Sequence, residues 1–301
     1  MDRTKFPDNA LDILRPERLA TPVVFSSPHS GRRYPKAFIN QSRLDALALR
    51  RSEDSFVDEI FSTVTDFGAP LIRALFPRAY VDVNREPFEL DPNMFCESLP
   101  DYVRTHSPRI TSGLGTIPRI VANGAAIYSD LLTFAEARLR IETHHRPYHG
   151  ALSALLQEAR HEFGVSLLID CHSMPSHHVL GGTVKEIKKV DIVLGDNHGT
   201  SCAPEVTRLV EQVLVDSGFK VVRNRPYAGG YITKCYGQPE IGQHSLQIEI
   251  NRALYMNEQS IQRGPELPDI TRRISRVIKA LTEIKLEVLY PKSKAIPKAA
   301  E

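Results

Sequence analysis

The sequence lacks any apolar run approaching the ~18 residues needed to cross a bilayer, and nothing at its N-terminus has the pattern of a secretory signal. Neither membrane spanning nor export is expected, and the cytoplasm is the default location. An excess of one charge is also missing, since 38 Lys and Arg face 36 Asp and Glu for a formal net charge of +2. That balance leaves no electrostatic footprint for nucleic acid or a membrane surface. Cysteine is scarce: Cys96, Cys171, Cys202 and Cys235 are widely separated, with no CxxC pair. This excludes the disulfide framework of a small secreted scaffold and favours reduced thiols. Internal repeats are absent. Gly113-Leu114-Gly115 lacks the third glycine and the flanking strand and helix of a dinucleotide fingerprint, so it reads as loop chemistry.

What is present is ordinary globular composition, 42% hydrophobic and 25% charged over 301 residues, enough for a large core. Length alone is compatible with two domains, but no linker divides the chain, so one α/β domain over 1–301 is expected. An irregular lead-in covers 1–20, and a frayed Lys- and Pro-rich tail covers 291–301. Strand-like runs at 22–26, 70–75, 79–85, from Ser166 to Ser173, and at 190–194, 219–223 and 244–251 are separated by helical spacing at 42–66, 131–163, 204–215 and 265–289. A break is expected near Ser52 and an interruption near Pro147. The alternation predicts a mainly parallel or mixed central sheet with helices on both faces. Residues 86–127, rich in Pro, Gly and Asn, are too long for a simple connection and read as a lid or a wall.

The chemistry is organised around Leu167-Leu168-Ile169-Asp170-Cys171-His172-Ser173. A buried strand that ends in polar residues delivers them to the edge of a sheet, where α/β proteins bind ligands. His29 follows the 22–26 run, Asn84 and Arg85 end the 79–85 run, Asp196 follows 190–194, and Glu249 lies near the end of 244–251. In that last run Ser245, Gln247 and Glu249 fall on one side and Leu246, Ile248 and Ile250 on the other. Two imidazoles and one carboxylate suit zinc, with a fourth position left for a water whose pKa drops from ~15.7 to ~7. Glu249 is the candidate base for that water. Arg85 with Asn84 can fork onto a substrate carboxylate. Taken one at a time, each residue has a plain structural reading: a histidine after a strand is usually hydrogen-bonded in place, and Glu249 or Arg85 could be ion-pair partners. Cys171 neighbours His172, but adjacent strand residues face opposite ways, so the histidine cannot readily serve as its base. His145 and His149 are four apart and could pair on a helix face, but Pro147 between them argues instead for residues that line the site or cap a helix end.

Five segments taken together resemble the N-formylglutamate amidohydrolases: Ser27-Pro28-His29-Ser30-Gly31, Ser52-Glu53-Asp54 with Val57-Asp58, Val81-Asp82-Val83-Asn84-Arg85, Asp170-Cys171-His172-Ser173, and Gln247-Ile248-Glu249 with Tyr255-Met256. Their order and spacing match over roughly 20–260. The resemblance implies a zinc-carboxypeptidase-like α/β fold and a zinc-dependent hydrolysis of N-formyl-L-glutamate to glutamate and formate, with another divalent transition metal as the alternative. It implies His29, His172 and an acid from the Glu53-Asp54 pair as metal ligands, with Asp54 favoured, and Glu249 as general base. Glu53 and Asp170 stand as alternative ligands or as groups that hold a ligand in place. Asn84 and Arg85 are implied for one substrate carboxylate, and Arg225 and Tyr231 could grip the second or close over the substrate. The partner is thus a small anionic amino acid derivative. A homo-oligomer is compatible with the sequence, which carries no signal for one. Competing functions are hydrolysis of another N-formyl or N-acyl amino acid by the same mechanism, and metal or amino-acid binding without turnover on the same fold.

Overall fold

The computed structural model describes residues 10–180, 183–186 and 190–291. The expected tail from 292 onwards, the Gly181-Gly182 loop and the first nine residues of the lead-in lie outside the described residues. In chain order the elements begin with β1 (Leu11–Leu14), β2 (Val23–Ser27), α1 (Lys36–Gln41), α2 (Ala46–Arg50), α3 (Val57–Ile60), β3 (Leu71–Ala74) and α4 (Pro108–Thr111). There follow α5 (Phe134–Arg140), α6 (Arg146–Phe163), β4 (Ser166–Met174), β5 (His177–Leu180), β6 (Thr183–Glu186), β7 (Ile192–Gly195), α7 (Pro204–Asp216) and β8 (Val221–Arg223). The last are α8 (Tyr231–Tyr236), β9 (Gln243–Asn251), β10 (Met256–Asn257), β11 (Gln262–Arg263), α9 (Leu267–Thr282) and α10 (Leu286–Leu289).

Seven strands form one mixed sheet in the order β1-β3-β2-β4-β9-β7-β8. Strands β3, β2, β4 and β9 are parallel, β1 and β7 run antiparallel to their inner neighbours, and β8 follows β7 in parallel. Strands β4 and β9 share the longest register, with Asp170 opposite Gln247 and His172 opposite Glu249. The two-residue period then divides the sheet's side chains. Leu167, Ile169, Cys171, Leu246, Ile248 and Ile250 join the core under α3, α7 and α9, and Leu168 joins the core under α6. Asp170, His172, Gln247 and Glu249 emerge on the α6 side, at the carboxyl end of the strands. Helix α9 shows why the covering layer is stable: Leu267, Ile270, Ile274, Val277, Ile278 and Leu281 recur at helical spacing and are buried. Each such side chain contributes about 1.5–3 kcal/mol through apolar area removed from water.

Several local expectations are corrected. Residues 79–85 form turns rather than a strand, because the buried Asp82 carboxylate accepts the Asn84 amide at 2.9 Å and the Asp82 amide donates to Thr116 O at 2.8 Å. Leu11–Leu14 in the lead-in is an edge strand against β3. The interruption expected near Pro147 in 131–163 is a π-helical turn immediately before it. The helix starts at Phe134, capped by the Thr133 hydroxyl, passes through a π-helical turn at Ile141–His145 and continues as α6. Pro147 lies in the first turn of α6, where its missing N–H costs least. The expected 265–289 helix divides into α9 and α10, and both Ile284 in the break and Leu289 reach the core. The 86–127 segment buries Leu90, Ile117, Val121 and Ile127 in the α6-side core.

Candidate active site

The loop after β2 meets the loop between α2 and α3 through backbone hydrogen bonding, with the Asp54 amide donating to His29 O at 3.0 Å. Ser30 ties the same two loops together: its hydroxyl donates to Asp54 O at 2.9 Å and accepts from the Asp58 amide. Residues 24 and more apart in sequence are thereby set side by side, and β4 adds His172. On its other side the loop after β2 packs on the segment after β3, where only glycine fits at position 31, since a Cβ there would lie 2.0 Å from Phe76 O. His29, Asp54 and His172 offer three ligand atoms within 4.8 Å of one another, all buried. Asp54 Oδ2 lies 2.9 Å from His172 Nδ1 and 3.4 Å from His29 Nδ1.

Carboxylates stand behind both imidazoles. His29 Nε2 is 2.7 Å from Asp82 Oδ1, and His172 Nε2 is 2.9 Å from Asp170 Oδ2. Each of these carboxylates accepts a ring Nε2–H, so the Nδ1 of both rings faces Asp54; without a metal, His172 Nδ1 also carries a proton, which it donates to Asp54 Oδ2. Asp170 is itself held by the Ser26 hydroxyl, which meets Tyr148. Burial alone would lower the His172 pKa, but Asp170 and Asp54 outweigh it and hold the imidazole well above its usual value. Burial likewise opposes the Asp54 carboxylate, yet the His172 hydrogen bond and the adjacent His29 ring hold it well below the usual carboxylate range. His29 Nδ1 is buried without a hydrogen-bond partner among the described residues. An orphaned imidazole nitrogen, a second imidazole and an ionised carboxylate aimed at one point fit a divalent transition ion.

Glu249 sits across the β4–β9 ladder from His172, and its carboxylate accepts from Gln247 Nε2. Burial raises its pKa to about 7; His172 opposes the shift and Asp54 adds to it. Asn84 reaches the same centre, with Nδ2 3.2 Å from His172 Nε2 and Oδ1 accepting from the Ile232 amide at the start of α8. Gly230 permits that contact, because a Cβ there would fall 2.2 Å from the Asn84 amide. Arg85 donates to Leu114 O and Asn84 O and approaches Asp82 at 3.7 Å. Burial first, then the nearby cations Arg78 and Arg109, bring its pKa down to about 10.

The remaining candidates are placed differently. Both Glu53 oxygens are engaged by Arg50, Tyr34 and Ser55, so this carboxylate lies outside the three-residue group. Arg225 is exposed in the loop after β8, with no hydrogen-bond or ion-pair partner among the described residues. Tyr231 opens α8, with its ring 5.3 Å from that of His149. Three groups at the site were not singled out from sequence. Asp82 was legible as part of the Asp-x-Asn-Arg run. Arg252, which bonds Asp54 Oδ1 at 2.9 Å, lies one residue beyond β9, where the rule that strand ends carry function would have found it. Arg78, 2.7 Å from Asp82 Oδ2, follows Pro77 in a turn and carried no signal.

Residues 21–256 match the family model for N-formylglutamate amidohydrolase. The N-formylglutamate deformylase of Pseudomonas aeruginosa is 29% identical over 271 residues, covering 88% of this chain and 94% of that protein. The N-formylglutamate deformylase of Pseudomonas putida is 30% identical over 242 residues, covering 79% and 82%. Among solved structures, the N-formylglutamate amidohydrolase of Ralstonia eutropha JMP134 superposes with a TM-score of 0.83 at 34% identity, covering 91% of this chain and 97% of that one.

Proposed function

The chain belongs to the N-formylglutamate amidohydrolase family, and on that premise we propose that it hydrolyses N-formyl-L-glutamate to L-glutamate and formate with zinc held by His29, Asp54 and His172. The observation that carries this reading is the convergence of those three buried side chains beside a carboxyl, Glu249, whose pKa is lifted to about 7. The chemistry such an ion supplies is Lewis acidity towards a carbonyl oxygen and a lowered pKa for water. The protein's own groups do the rest. Asp82 and Asp170 hold the imidazoles in the tautomer that frees each Nδ1. Glu249 takes a proton from the water that attacks the formyl carbon and returns it to the departing nitrogen, so that the amine leaves neutral. Gln247 fixes the Glu249 carboxylate by donating to it.

Asn84 and Arg85 bind a substrate carboxylate in this reading. Support comes from charge: Arg85, Arg78 and Arg109 lie near enough to repel one another, a field that an anionic substrate relieves. Tyr231 at the start of α8 and Arg225 in the preceding loop are assigned to the second carboxylate. Glutamate and formate are the products that close one route of histidine degradation, and the reading places the reaction there, in the cytoplasm. No helix among the described residues is long and apolar enough to cross a membrane. Formate release from N-formyl-L-glutamate is the test. Activity that disappears with a chelator and returns with zinc is expected. Turnover of N-acetyl or N-formyl-aspartate far above that of N-formylglutamate would overturn the substrate, and silence on all of them would overturn the enzyme.

A further inference from the structure

His145 and His149 lie outside the three-residue cluster, and the proposed chemistry makes no use of them. Both are nevertheless committed to specific contacts. The π-helical turn before α6 brings the two rings into stacking at 4.4 Å, with planes 27° apart. His145 Nε2 is 2.8 Å from Arg85 O, and His149 Nε2 is 2.8 Å from Val83 O. The carbonyls on either side of Asn84 thus both end on imidazoles of one helical face. Since each Nε2 is used as a donor, the pair is not a second metal site.

Burial, helped by the neighbouring His145, brings the His149 pKa down to about 3, so the ring is neutral with its proton on Nε2. Its Nδ1 then accepts the Tyr236 hydroxyl at 2.9 Å, which also lies 3.0 Å from His149 O. Tyr236 ends α8, the helix whose first turn carries Tyr231 and receives Asn84 Oδ1. His149 therefore contacts both walls to which the substrate groups are assigned: residues 83–85 through one nitrogen and α8 through the other.

We propose that His149, backed by His145, is a positioning residue for substrate binding, holding the backbone of residues 83–85 against α8 so that Asn84, Arg85 and Tyr231 face one ligand. The inference rests on the carboxylate-binding role given to Asn84 and Arg85 in the proposed function. A ring locked by stacking and by a bond at each nitrogen fixes the peptides around Asn84, whose side chain would otherwise have to be ordered when substrate binds.

Two substitutions separate this role from simple packing. His149→Phe keeps the ring and its stacking but loses both hydrogen bonds, and His149→Gln keeps a donor. The expected result with the zinc-loaded protein is a KM for N-formyl-L-glutamate raised about tenfold or more in His149→Phe, the size expected from leaving a buried carbonyl unpaired, with kcat within about threefold. His149→Gln should recover most of the loss. Affinity for L-glutamate, followed by calorimetry, should fall in parallel, and zinc affinity, followed by competition with a chelator, should not change. An unchanged KM, a fall in kcat alone, or an equal loss of zinc affinity would overturn the assignment. Should His149→Phe fail to fold, Tyr236→Phe removes one of the two bonds and should raise KM about threefold; no change there would also overturn it. Wild-type protein that releases no formate would overturn the proposed function, whereas wild-type turnover with an unaffected His149→Phe would overturn this inference alone.

Discussion

The Arg252 guanidinium donates to Asp54 Oδ1 at 2.9 Å, leaving the other carboxylate oxygen, Oδ2, for His29 and His172. Arg252 also donates to Ser173 Oγ at 3.1 Å and to Arg51 O at 3.4 Å, so its plane is fixed at three points. Asp54 is thereby aimed, although it lies in a loop with a left-handed residue, Phe56 at φ 70°, two positions on.

Arg252→Gln should weaken zinc binding about 10- to 100-fold, the usual effect of removing a group that orients a ligand from behind. Competition with a chromophoric chelator measures it. An affinity equal to that of the wild type would show that Asp54 keeps its orientation without the arginine.

Glu249→Gln should reduce kcat by a factor of about 10² to 10⁴ while zinc content and KM stay near wild type. Because a general base works only when ionised and burial lifts this carboxyl to about 7, the Glu249 carboxyl of metal-free protein should titrate near neutrality. A bound cation should move that titration to lower pH. Difference infrared spectra of wild type and Glu249→Gln would reveal it, and a carboxyl already ionised at pH 5 without metal would contradict the expectation.

His149 gives a pH dependence of the opposite kind, one of stability. The folded protein keeps it neutral down to about 3, whereas in the unfolded chain it takes up a proton below its ordinary value of 6.5. The unfolded state therefore binds more protons in this window. Stability is full above 6.5 and is lost as pH falls from 6.5 towards 3, by up to about 1.4 kcal/mol per pH unit. Urea unfolding across this range should give a shallower slope in His149→Gln than in the wild type.

Gly230→Ala should raise KM at least about tenfold with zinc affinity unchanged, because the added methyl would fall on the Asn84 side chain and overpacking of this kind costs about 1–3 kcal/mol. The backbone at Gly230 is not strained, with φ at −108°, so the effect isolates the collision. Kinetics beside a chelator titration would check it, and normal KM would mean that Asn84 can move without loss.

The parts of the site that were legible in the sequence are those carried by regular strands. The period of two is enough to put Asp170 with His172, and Gln247 with Glu249, on one face, and the β4–β9 register then sets the two pairs opposite each other. Loop residues were harder to read. Glu53 and Asp54 are adjacent acids of similar chemistry, and what separates them is a backbone bond from Asp54 to His29 and a rival arginine at Glu53, both products of tertiary contact. The stretch 79–85 looked like a strand because apolar Val81 and Val83 flank Asp82, and both valines are indeed buried. The Asp82 side chain, competing for the backbone, turned it into a loop. His145 and His149, four apart around Pro147, do share a helical face and stack, but each Nε2 ends on a backbone carbonyl of residues 83–85, a tertiary contact that spacing alone does not show.

The strand that comes late in the chain occupies the middle of the sheet, since β9 pairs with β4 on one side and β7 on the other. During synthesis a ribosome must release residues beyond 251 before Glu249 meets His172 or Arg252 meets Asp54. Until then the growing chain carries two unjoined sheet edges and an incomplete set of charges around Asp54. A nascent chain stalled before β9 therefore carries the three candidate ligands, His29, Asp54 and His172, beside an open sheet edge, but lacks Glu249 and Arg252, the groups assigned to moving the proton and to aiming Asp54.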